Sequence, residues 1–78
     1  MKTAKEMFEE LGYEYSVEDD SCEMFIECWI GEDTDDWKHI RFNLSSETYF
    51  ADENWESMYI DMPTFKAIQK QLEELNWI

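Results

Sequence analysis

Between Tyr13 and Asp36 the chain carries ten carboxylates and no lysine or arginine: Glu14, Glu18, Asp19, Asp20, Glu23, Glu27, Glu32, Asp33, Asp35 and Asp36. Carboxylates at this density could coordinate a hard cation, work in pairs as general acid and base, or present fixed negative charge to a basic surface. The first two fit poorly. A calcium loop opening at Asp33 calls for Gly at its sixth position and Glu at its twelfth, where Lys38 and Leu44 stand. Acid–base pairs can be drawn among so many carboxylates that no pair is distinguished, and 78 residues leave little room for a deep substrate cleft.

Other chemistry is sparse. The sequence has no Gly-rich phosphate loop, nucleophile elbow or paired-histidine metalloprotease motif. His39 is the only histidine and lies two residues before Arg41, which reads as a structural or simply exposed strand residue. Cys22 and Cys28 lack the close spacing of zinc ligand pairs. Six residues apart on one continuous strand, they would stand about 20 Å from each other, too far for a disulfide. They read as two small buried hydrophobes. No catalytic residue, metal or cofactor is expected.

The remaining use of the acids is as a surface. Anions spaced rigidly on strands and turns resemble the phosphates of a nucleic acid, and attract a basic groove with fast, salt-sensitive association. Phe25 and Trp29 are interleaved with Glu23 and Glu27, and aromatic anchors often dominate binding energy where charge supplies rate and selectivity. The candidate partner-binding set is therefore Glu18, Asp19, Asp20, Glu23, Phe25, Glu27, Trp29, Glu32, Asp33, Asp35 and Asp36. Whether a helix covers Phe25 or Trp29 does not follow from periodicity.

The elements that must position this set follow from pattern. Thr3 and Glu6 fit a capping box, and Ala4, Met7, Phe8 and Leu11 have helical spacing, giving a helix over about 4–11 that Gly12 ends. Tyr13, Tyr15 and Val17 alternate with polar residues as a half-buried strand. From Cys22 to Ile30 the positions Cys22, Met24, Ile26, Cys28 and Ile30 face one way, with Glu23, Phe25, Glu27 and Trp29 opposite. The stretch 31–36 is a polar hairpin loop, and Trp37–Leu44 a third strand. A short strand over 47–50, a turn over Ala51–Asn54 and a last strand over 55–60 follow. Pro63 suits the first position of a second helix, with Phe65, Ile68, Leu72 and Leu75 as its stripe and Asn76 as its stop. The sequence thus predicts one α+β domain spanning 1–78: an antiparallel meander of four to five strands with an N-terminal and a C-terminal helix packed on one face.

The bulk properties agree with a folded binding domain. With 44% hydrophobic and 17% aromatic residues, the chain is unlike a disordered acidic tail. A formal net charge of −14 disfavours direct contact with nucleic acid or anionic lipid. No transit sequence or transmembrane run is visible, so a cytoplasmic setting is expected.

Both ends of the chain show a family likeness. The opening Ala4-Lys5-Glu6-Met7-Phe8-Glu9-Glu10-Leu11-Gly12-Tyr13-Glu14-Tyr15 and the close Phe65-Lys66-Ala67-Ile68-Gln69-Lys70-Gln71-Leu72-Glu73-Glu74-Leu75-Asn76-Trp77 resemble small proteins encoded in phages and prophages of Gram-positive bacteria. Asn76 departs from the Gly usual there, conservatively for a helix stop. The resemblance implies a phage or prophage accessory protein acting in a host cell, and brings no active-site residues. The expected function is capture of a basic host protein, with inhibition of a nucleic-acid-handling or defence protein by mimicry as its sharper form. The alternative is an assembly module that self-associates through a sheet edge or aromatic patch. The partner expectations are a basic, nucleic-acid-binding host protein, no direct nucleic acid, no membrane, and a monomer or small homo-oligomer.

Overall fold

The computed structural model describes residues 1–19 and 22–78, so Asp20 lies outside the described residues. Its elements are α1 (Ala4–Glu10), β1 (Glu14–Asp19), β2 (Met24–Ile30), β3 (Lys38–Asn43), β4 (Thr48–Glu53), β5 (Glu56–Ser57) and α2 (Met62–Glu74). The strands pair in chain order as one antiparallel five-stranded sheet. This is the α+β meander the pattern predicts.

Thr3 closes the capping box with Glu6 at the start of α1. Gly12 (φ +97°) and Asn76 (φ +61°) end the two helices alike. In each case the amide beyond the left-handed residue returns to a carbonyl five back, Tyr13 to Phe8 at 3.0 Å and Trp77 to Leu72 at 2.9 Å. The two helices are also clasped at opposite ends: the Ala4 amide donates to the Glu74 carboxylate at 2.8 Å, placing an anion at the positive end of α1.

One sheet face forms the core. In register, Tyr15, Cys28, Ile40 and Ala51 make one row, and Val17, Ile26, Phe42 and Tyr49 the next. Phe8 of α1 and Ala67 and Ile68 of α2 complete the buried cluster with Ile26, Cys28, Ile40 and Phe42. Both helices therefore cover the same face, and Phe25 and Trp29 stand on the other.

Four local expectations change. Of the expected α2 stripe, Ile68 is buried and Leu72 and Leu75 pack against the core, but Phe65 is exposed, and Thr64, Ala67 and Gln71 are buried instead. The two polar residues are buried because they have partners: Gln71 accepts from the Tyr15 hydroxyl at 2.6 Å, and Thr64 is hydrogen-bonded to Tyr13. That helix starts at Met62, one residue before Pro63, and Asp61 caps it, accepting from the Thr64 amide. β4 runs on through Glu53, so the turn is Asn54-Trp55 and β5 is only two residues long. Finally, β2 begins at Met24 and leaves Cys22 exposed, in contrast to buried Cys28.

Candidate functional site on the open sheet face

The face turned away from the helices is built from three cross-strand rows. They are Glu14–Trp29–His39–Asp52, Ser16–Glu27–Arg41–Phe50, and Glu18–Phe25–Asn43–Thr48. Alternation alone places these side chains together, because a period of two sends every second residue to this side.

Within the rows the candidate residues separate into two clusters. In the first, the Arg41 guanidinium lies 3.8 Å from the Phe25 ring centre. Arg41 is bound by Glu23 at 2.7 Å, approached by Glu27 at 3.8 Å, and donates to the Asn43 side chain at 2.8 Å. Phe25 is thus capped by a cation already in the chain.

The second cluster is aromatic. Trp29 stacks on His39 with ring centres 4.1 Å apart, and its other neighbour is Trp37 at 5.7 Å. Trp37 meets Trp55 edge-on at 5.2 Å, and His39 meets Phe50 at 5.6 Å. These five rings line a basin of about 480 Å³ whose polar lining comes from Glu32, Asp33, Thr34 and Asp52.

Glu27 links the clusters. Its carboxylate accepts from the Trp29 indole N–H at 2.6 Å and lies 3.4 Å from His39 Nε2. Asp52 stands on the other side of the imidazole, 3.5 Å from Nδ1. His39 is 8% exposed, held between two carboxylates and two aromatic rings. Its Nε2 and the Oδ1 of Asp52 are buried without a hydrogen-bond partner.

The loop 31–36 is fixed by its own backbone. Gly31 (φ +69°) has the Asp36 carbonyl oxygen only 2.2 Å from where a Cβ would stand. The Thr34 hydroxyl donates to the Gly31 carbonyl at 2.6 Å and accepts from the Asp36 amide at 3.2 Å. Asn54 ties this loop to the β4–β5 turn: its side chain accepts from the Trp37 amide at 2.8 Å and donates to Asp36 at 3.3 Å. Asn54 (φ +48°) and Trp55 (φ +69°) both occupy the left-handed region, the signature of a two-residue type I′ hairpin turn. A bulky residue there is a genuine outlier, yet Trp55 is 88% exposed, so burial does not explain its presence.

The predicted set is therefore divided. Glu23, Phe25 and Glu27 belong to the Arg41 cluster, whereas Trp29, Glu32 and Asp33 line the basin. Glu18 and Asp19 stand at the far end of edge strand β1, and Asp35 and Asp36 are exposed in the loop. Trp37, His39, Phe50, Asp52 and Trp55 were not in the predicted set. Outward alternation of Trp37 and His39 was a usable signal, and Phe50 fell within the expected strand 47–50, but a turn over Ala51–Asn54 took Asp52 off the sheet. Among the described residues no group of histidines, cysteines and carboxylates is arranged to hold a metal, and no helix is long and apolar enough to cross a membrane. Comparisons with protein-family models, with curated proteins and with solved structures return no match.

Proposed function

We propose that this protein is a non-catalytic binding module that receives a basic protein surface on its open sheet face. In its sharper form it is a phage or prophage accessory protein that occupies the nucleic-acid groove of a host protein. The observation that carries the reading is the sidedness of the sheet. Both helices pack on one face, and the other combines Glu14, Glu18, Glu27 and Asp52 with aromatic rings, beside the acidic loop 31–36. Carboxylates on a strand framework keep their spacing, so little ordering cost falls on the moment of binding. The test is capture from host lysate by the native protein and by a variant with Glu18, Asp19, Asp20, Glu32, Asp33, Asp35 and Asp36 changed to Gln or Asn. A nucleic-acid-handling protein held by the native form alone and released by moderate salt supports the reading. A partner retained equally by both forms sinks it.

A second reading, self-association, has its own observation. β5 pairs only with Asp52 and Glu53, which leaves Thr48–Ala51 of β4 at the sheet margin, with Tyr49 and Phe50 each 46% exposed. Such an edge can accept another strand. Sedimentation tests it: a strict monomer at all accessible concentrations excludes it.

A further inference from the structure

We propose that the aromatic basin at the loop end of the open face is a receptor for the guanidinium of an arginine side chain. The proposal deepens the reading of this face as a receiver of basic protein, and rests on it.

The chain contains its own precedent. At the other end of the same face, Arg41 lies on the Phe25 ring at 3.8 Å with its guanidinium bound by Glu23 at 2.7 Å and Glu27 at 3.8 Å. The basin repeats that chemistry without a cation. Trp29, Trp37 and Trp55 supply the rings, and Glu32, Asp33 and Asp52 the anions. Indole faces are the best cation–π partners.

The basin wall also offers an acceptor. The basin-lining His39 is 8% exposed, with Nε2 turned to Glu27 at 3.4 Å and Nδ1 to Asp52 at 3.5 Å, so its ring packs into the basin wall. Asp52 turns its buried Oδ1 towards His39 Nδ1 at 3.5 Å, while its side chain as a whole is 35% exposed, so the rest of the carboxylate stays open to an incoming donor. Of the cations that would satisfy the rings, guanidinium alone is flat enough to stack and carries five donors for carboxylates. A quaternary ammonium has no donor, and a lysine ammonium is a compact, strongly hydrated charge.

Trp55 supplies an independent argument. It occupies a turn position whose backbone favours Gly or Asn, and it is held there at φ +69° with 88% of its surface exposed. Strained residues that stability does not explain gather at ligand clamps. Trp55 closes the basin against Trp37, so its strain is accounted for by the site it completes.

The experiment titrates the whole protein with acetyl-Gly-Arg-Gly-amide, its lysine counterpart and tetramethylammonium, following the tryptophan indole N–H resonances. The proposal expects saturable shifts at Trp37 and Trp55 with the arginine peptide and weaker binding of the other two. Trp55→Gly should weaken the arginine peptide by roughly five- to thirtyfold while melting no lower than the native chain. Asp52→Asn should weaken it as well, which keeps the test valid if the turn variant folds poorly. Absence of saturable shifts, equal binding to native and Trp55→Gly proteins, or tighter binding of tetramethylammonium overturns the proposal. A decaarginine titration separates this failure from that of the parent reading. If decaarginine binds both proteins alike and leaves the indoles unmoved, the acidic face stands and the arginine pocket falls. If decaarginine does not bind at low salt, both fall.

Discussion

Glu27 shows how one side chain organises the open face. It joins the Trp29 indole, approaches the His39 ring and faces Arg41, and all of these stand at positions of the same outward register. The alternation Glu23, Phe25, Glu27, Trp29 was legible in the sequence, but the internal partner Arg41 was not, because a register between β2 and β3 is needed to bring them together. The cysteines show the same limit. Both fall on one face of an extended strand by counting, yet Cys22 precedes β2 and is exposed, while Cys28 is enclosed by the core. Burial pushes the Cys28 thiol up to about 12, with Glu27 adding to the shift. A thiol-selective reagent at neutral pH should therefore modify one cysteine, Cys22, in the native protein and both in denaturant; rapid double labelling of the native chain would contradict the assigned core. Tyr13 and Tyr15 are also raised to about 12, chiefly by burial. For all three groups folding favours the protonated form. Their contribution is full below the unfolded values, about 8.5 for the thiol and about 10 for the phenols, and is lost as pH rises towards 12. Thermal melts should accordingly show stability falling across that alkaline window, and a flat profile to pH 12 would disagree.

At the scale of elements, the helix ends, the strands and the meander order follow from short-range signals. Thr3 with Glu6, Gly12 and Asn76 each encode a local geometry that needs no tertiary contact. The end of the sheet was misread for a physical reason: Asp52, Glu53 and Asn54 look like turn residues, but pairing with Lys38 and His39 holds the first two in β4. The turn then passes to Asn54-Trp55, where tryptophan is an improbable choice by backbone preference. Ile68, Leu72 and Leu75 of the expected α2 stripe meet the core, but the burial of Thr64 and Gln71 was not legible, because both are polar and only the tyrosine hydroxyls of the neighbouring β1 region make their burial favourable. Gly31→Ala meets both a left-handed backbone and the Asp36 carbonyl oxygen, so it should destabilise by more than about 1 kcal/mol in chemical denaturation and displace the Trp37 resonances. A neutral effect would mean that the loop is not fixed as described.

The whole molecule is a slab with unequal sides. Its Cα extents of 33 × 32 × 19 Å suit one sheet with one layer of helices and nothing on the other face. The charge follows the same division. Residues 13–60 hold fourteen carboxylates against Lys38 and Arg41, whereas Lys2, Lys5, Lys66 and Lys70 all belong to the terminal helical segments. Total charge was legible at once in the sequence, but its confinement to the sheet and loops required knowing which face the helices take. Self-repulsion at −14 should be relieved by screening, so the melting temperature should rise between low and moderate NaCl; a fall would show that ion pairs such as Arg41–Glu23 outweigh the repulsion.

The central claim, that the open face is the binding surface, is tested most directly by mapping backbone amide shifts as decaarginine is added at low salt. Changes are expected to be confined to 14–18, 25–29, 32–37 and 50–55 and reversed by added salt, with α1 and α2 unmoved. Shifts centred on the helices, or no saturable change on the sheet, would contradict it.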